Sequence, residues 1–131
     1  MPASPESLEP YLVQLRALPI VKSAKILSLD PSPQVDAHLR LRTPAGPHDL
    51  WVEEKTSHLG RGVVEQIRLH MKKQAGPWIL FAPYVGAPLG EALEHAGINF
   101  IDRQGNCSIR LGPSMLARVQ GRRAAPAPAR S

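Results

Sequence analysis

A chain of 131 residues, 43% hydrophobic and 21% charged, has the makeup of one globular domain and can bury roughly two-thirds of its unfolded surface. The longest apolar run, residues 78–83, falls far short of the roughly 20 residues of a membrane-spanning helix, and no basic-then-apolar leader opens the chain. Cys107 is the only cysteine, which excludes an internal disulfide scaffold and a multi-cysteine zinc site, so a cytoplasmic address is expected. The formal charge of +5 is uneven: Arg118, Arg122, Arg123 and Arg130 sit in a C-terminal stretch without an acid, and the body before them is close to neutral.

The first six residues are polar and proline-rich and read as a frayed start. Residues 7–18 place Leu8, Tyr11, Leu12, Leu15 and Leu18 at helical spacing, with Pro19 ending the run. Three strands follow. Residues 24–29 stop at Asp30-Pro31-Ser32-Pro33. Residues 36–42 alternate Ala37, Leu39 and Leu41 with His38, Arg40 and Arg42, and a Thr43-Pro44-Ala45-Gly46-Pro47 turn leads into residues 48–55. The period then lengthens to that of a helix over 63–74, where Arg68, Lys72 and Lys73 gather near the end favoured by the helix dipole, before Gly76-Pro77.

Residues 78–82 form the unbroken apolar run of a central strand. A short helix over 89–96 ends at Gly97. Strands over 98–101 and 107–111 are joined by Asp102-Arg103-Gln104-Gly105-Asn106, whose Gly-Asn pair suits a reversing turn. The order αβββαβαββ predicts an α/β fold with a mixed β-sheet and helices on both faces. The single domain is expected over 7–118, with the Pro-, Ala- and Arg-rich residues 119–131 a disordered tail or linker.

Glu53 and Lys55 are two apart on the third strand and share one face with Asp49 and Trp51, while Leu50, Val52 and Glu54 point the other way. Asp36 opens the preceding strand, and the hairpin can return it beside Glu53. Two carboxylates there suit one Mg²⁺, which takes hard oxygen ligands; such a metal activates water and neutralises charge on a phosphodiester. Lys55 would steady the developing charge and Gln66 would assist from the following helix. Glu53 is expected to face solvent. The same D…ExK pattern also arises simply because one face of a half-buried strand is wet.

The run αβββ(ExK)αβ resembles the core of the PD-(D/E)XK, restriction-endonuclease-like superfamily. Phe81-Ala82-Pro83-Tyr84, Leu89 with Leu93, Gly97-Ile98-Asn99-Phe100-Ile101-Asp102 and Gly105-Asn106 resemble the signature of AbiEi-like antitoxins of type IV toxin–antitoxin systems and related transcriptional regulators. The likeness spans roughly residues 15–123. It implies a nuclease-like domain of a DNA-associated regulator, with a toxin or other protein as possible partner. Such proteins commonly continue into a winged-helix DNA-binding segment, so the resemblance implies either a product truncated before that segment or a stand-alone remnant. Three functions follow: a regulatory or interaction module, an active Mg²⁺-dependent endonuclease built on Asp36, Glu53 and Lys55, or a fragment without activity.

Nucleic-acid contacts are expected from Arg40 and Arg42, with Arg110 as a neighbour, and from Lys72, Lys73, Arg122 and Arg123, all reaching phosphates without reading sequence. No aromatic interleaving along the chain suggests single-strand binding. The five histidines lack metal-ligand spacing, His58 being nearest the ExK, and Cys107 reads as a buried, inert thiol. Asp102 and Asn106 either shape the turn or line the cleft of Lys55.

Overall fold

The computed structural model describes residues 4–29, 35–60, 62–113 and 115–123. Helix α1 spans Pro5–Arg16, followed by strands β1 (Ser23–Ser28), β2 (Ala37–Thr43) and β3 (Gly46–Glu54). Then come α2 (Val63–Met71), β4 (Trp78–Ala82), α3 (Ala87–His95), β5 (Phe100–Asp102), β6 (Cys107–Leu111) and β7 (Met115–Val119). Helix α1 starts two residues before its apolar spacing predicts. Ser4 caps it reciprocally with Ser7, each hydroxyl accepting from the other's backbone N–H at 3.1 Å, and Pro5 supplies a preset first helical residue.

All seven strands form one sheet in sequential order, antiparallel except for the parallel run β3–β4–β5. Two parallel crossovers stepping the same way across a sheet place their helices on the same face. Val64 and Ile67 of α2, with Leu89 and Leu93 of α3, accordingly pack on Trp78, Leu80 and Phe100. Helix α1 covers the other face, setting Leu8, Tyr11, Leu12 and Leu15 against Leu39, Leu50, Val52, Ile79, Phe81 and Ile101. The Tyr11 and Phe81 rings stack at 4.6 Å. Strand β4 is buried at all five positions because both faces are covered. The mixed sheet flanked by helices is as the element order predicts.

The seventh strand is the element the sequence does not announce. It pairs antiparallel with β6 along its length, from Leu111–Met115 to Cys107–Val119. As an edge strand it leaves Leu116 exposed and buries Ala117 in the α1-side core, so its alternation carries little apolar contrast. The ordered fold also passes the expected boundary at 118. The Arg122 N–H donates to Asn106 Oδ1 at 2.9 Å, and Asn106 Nδ2 returns a bond to the Arg122 carbonyl at 2.8 Å. The remainder of the expected tail, 124–131, lies outside the described residues.

Candidate active site

Strand register brings the acidic pair together. Ala37 stands opposite Val52, and the Asp36 N–H donates to the Val52 carbonyl at 2.9 Å, which places Asp36 across from Glu53. Asp36 Oδ2 accepts the Glu54 N–H at 2.7 Å, so the side chain completes the end of the ladder. Lys55 lies just beyond β3, its N–H donating to the Phe81 carbonyl at 2.8 Å. The site therefore sits at the C-terminal end of the parallel strands, where open α/β sheets place their ligand crevices.

The Glu53 side chain is only 12% exposed, which corrects the expectation that it faces solvent. Helix α2 crosses over it: Val63, Gln66, Ile67 and His70, one stripe of that helix, with Lys73 from the turn after it, line a cavity of about 410 Å³ together with Glu53 and Lys55. Two basic side chains meet the Glu53 carboxylate. His70 Nε2 lies 2.9 Å from Oε2, and Lys55 Nζ lies 3.8 Å from Oε1. The Glu53 carboxyl is nevertheless held above the ordinary glutamate range. Burial is the main cause, and the charge of Asp36 adds to it, with a hydrogen bond between the two carboxyls; Lys55 and His70 pull the other way.

The four residues assigned to catalysis, Asp36, Glu53, Lys55 and Gln66, thus gather at one place, with Gln66 on the exposed rim. His70 is the member that sequence reasoning left among scattered histidines. Its signal was present: it follows Gln66 by four residues, and residues four apart share a helix face. His58 lies on an exposed loop and does not line the cavity.

The groups assigned to phosphate contact are dispersed. Arg40 is gripped by Asp49 through two bonds of 2.7 and 2.9 Å. Arg42 is exposed on the same face of β2. Lys73 lines the Glu53 cavity, whereas Lys72 lines a different one with Arg68 and Arg110. Arg110 is no neighbour of Arg40 and Arg42: it stands on β6, four strands from β2, or roughly 19 Å at the usual strand spacing. Arg122 caps the β5–β6 turn, where its guanidinium donates to the Gln104 carbonyl at 3.1 Å, and Arg123 is exposed beside it.

Asp102 and Asn106 shape the turn. The fully buried Asp102 carboxylate accepts four bonds of 2.8–2.9 Å, from the backbone of Val85, Gln104 and Asn106 and from the Asn106 amide. Those bonds tie the β4–α3 loop to the β5–β6 turn and, through Asn106, to Arg122. Cys107 is fully buried and its thiol is pushed up to about 11 by burial.

Among the described residues no group of three or more His, Cys, Asp and Glu side chains converges as a metal cage. The Asp36–Glu53 pair is the smaller donor set that Mg²⁺ uses when it keeps most of its water. A half-buried Asp36 beside a Glu53 carboxyl raised by burial and by the Asp36 charge is a donor pair whose repulsion a divalent cation would relieve. Comparison with known proteins returns no match to any family model, curated protein or solved structure.

Proposed function

We propose that this domain is a DNA-directed, nuclease-like module of an antitoxin-like regulator, acting in the cytoplasm through a Mg²⁺-dependent phosphodiesterase site. The observation that carries the reading is the convergence of Asp36, Glu53 and Lys55 from two strands at the C-terminal end of the parallel sheet. The finer fold assignment, restriction-endonuclease-like, rests on the αβββαβ run with its antiparallel β1–β2–β3 and parallel β3–β4 pairs, together with the motif resemblance.

Asp36 and Glu53 would hold the metal, which would supply an activated water and charge neutralisation at the phosphate. Lys55, the cation beside Glu53 with its side chain 37% exposed, is placed to stabilise the anionic phosphorane-like charge. Gln66 and Lys73 line the same cavity and would orient the phosphate. His70 holds Glu53 through the 2.9 Å contact and fixes its rotamer.

A second reading is favoured by one observation. Both carboxylates already have partners, Glu53 in His70 and Lys55, and Asp36 in the Glu54 N–H. On that reading the acidic pair serves architecture, and the domain regulates or docks to a protein partner without cutting. A plasmid-nicking assay in millimolar Mg²⁺ separates the two. Nicking is expected from the wild type, with a loss of about 100-fold or more in Lys55→Ala and Glu53→Gln. Nicking that is absent, or unchanged in both variants, leaves the architectural reading.

A further inference from the structure

One half of the sheet face bearing Glu53 has no helix over it. On this face β3, β4 and β5 pack beneath α2 and α3, but the residues of β1 and β2 that share it, Lys25, His38, Arg40 and Arg42, belong to neither core. The register sets them in a block. Lys25 stands opposite Arg40, Ser23 opposite Arg42, Arg40 opposite Asp49 and His38 opposite Trp51. Asp49 occupies Arg40 with its two carboxylate oxygens. Lys25 and Arg42 are exposed, and Arg42 lies in the field of Asp49, whose nearest cation is Arg40.

The aromatic content of this face appears only on folding. His38 and Trp51, thirteen residues apart in the chain, stack with ring centroids at 4.6 Å and an interplanar angle of 24°. Both are half-buried, so part of the stacked surface meets solvent. The Trp51 indole is fixed from behind, its Nε1–H donating to the Ala75 carbonyl at 2.8 Å. Trp51 precedes Glu53 by two residues on the same face of β3, roughly 7 Å along the strand. A rigid aromatic platform flanked by exposed cations and leading to the acidic pair has the makeup of a single-strand nucleic-acid track, in which bases stack and phosphates lie on the basic groups.

We infer that the open face of β1–β2–β3 binds single-stranded nucleic acid, with a base stacked on the His38–Trp51 pair and flanking phosphates on Lys25 and Arg42, so that the chain is led toward Glu53. This rests on the proposed phosphodiesterase reading and narrows its substrate to single strands or unpaired ends. Sequence alone pointed away from it, because a cross-strand pair has no signature in linear order.

The test is fluorescence anisotropy with a labelled oligo-dT 12-mer and a duplex of equal length, both in EDTA so that binding is read without cleavage. The single strand is expected to bind more tightly than the duplex. His38→Ala should weaken single-strand binding about tenfold, and His38→Phe, which keeps the stack, should restore it. Lys25→Ala with Arg42→Ala should flatten the salt dependence by roughly 1.4, about 0.7 for each phosphate no longer neutralised. Duplex binding equal to or tighter than single-strand binding, or a His38→Ala loss that His38→Phe does not restore, overturns the inference. Nicking by a protein that fails this test would retain the phosphodiesterase reading and discard the track. A protein that passes here but does not nick retains the track and discards the hydrolytic reading.

Discussion

Asp36 and Glu53 face each other across the β2–β3 ladder one position beyond the Ala37–Val52 pair, and the Asp36 charge helps to hold the Glu53 carboxyl above its ordinary range. Two acids seventeen residues apart are thus placed by register alone. Because the third strand alternates, the same register puts Lys55 on the Glu53 side and Glu54 on the α1 side, where its Oε1 accepts from the Ser7 hydroxyl at 3.2 Å.

Charge on Glu53 ties stability to pH. Its carboxyl is raised in the folded protein, first by burial and then by Asp36. The native state therefore holds this proton more tightly than the unfolded chain does. The associated stability is present below the unfolded glutamate value and is lost as pH rises through the folded one. Glu53→Gln should accordingly melt near the wild type at pH 4 and increasingly above it toward pH 7, in metal-free buffer. A wild type that gains on the variant as pH rises contradicts this.

The Asp102 carboxylate is the polar knot of the fold. Replacing it with alanine strands three buried or half-buried backbone N–H groups and one N–H of the Asn106 amide, and should cost about 3 kcal/mol in urea denaturation. Asp49→Ala, which removes the surface partner of Arg40, should leave the midpoint essentially unchanged. Equal losses in the two variants would refute the distinction.

Gly105 turns at φ +96°, and a Cβ there would press on the ends of the Arg122 and Gln14 side chains. Those ends can swing aside, so the lasting penalty of Gly105→Ala is the left-handed backbone, about 1 kcal/mol. Adding Arg122→Ala should therefore recover little of it. A full recovery would show that the clash, not the dihedral, dominates.

Ending the chain at Gln120 should lower the melting temperature relative to ending it at Arg123. The shorter chain loses both bonds between Arg122 and the buried Asn106 side chain. Identical melting curves would place the end of the folded unit at β7.

Cys107, with its thiol pushed up to about 11 and no exposed surface, should resist alkylation at pH 8, where only about one thiol in a thousand is ionised. Labelling should appear with unfolding in urea. Labelling of the native protein at the rate of a free cysteine would contradict the burial.

Much of this was legible in order and period. The hairpin of β2 and β3, the helical stripe of α2 and the apolar run of β4 each follow from residue spacing, and the ExK on one face of β3 follows from strand alternation. Three features were not legible, each for a physical reason. Strand β7 lies at an edge and buries little, so its pattern is faint. Glu53 reads as wet because the helix that covers it comes ten residues later. The His38–Trp51 stack arises from cross-strand packing, which linear periodicity does not encode. The expected nearness of Arg110 to Arg40 and Arg42 failed for the converse reason, since strand order sets three strands between them.

Calorimetric titration with Mg²⁺ tests the central claim most directly. It should be run on the wild type and on Asp36→Asn/Glu53→Gln, which keeps the hydrogen bond to the Glu54 N–H while removing both charges. Saturable binding at one site is predicted for the wild type and none for the double variant. Absence of binding in the wild type, or equal binding by both proteins, would contradict the assignment of Asp36 and Glu53 as metal ligands.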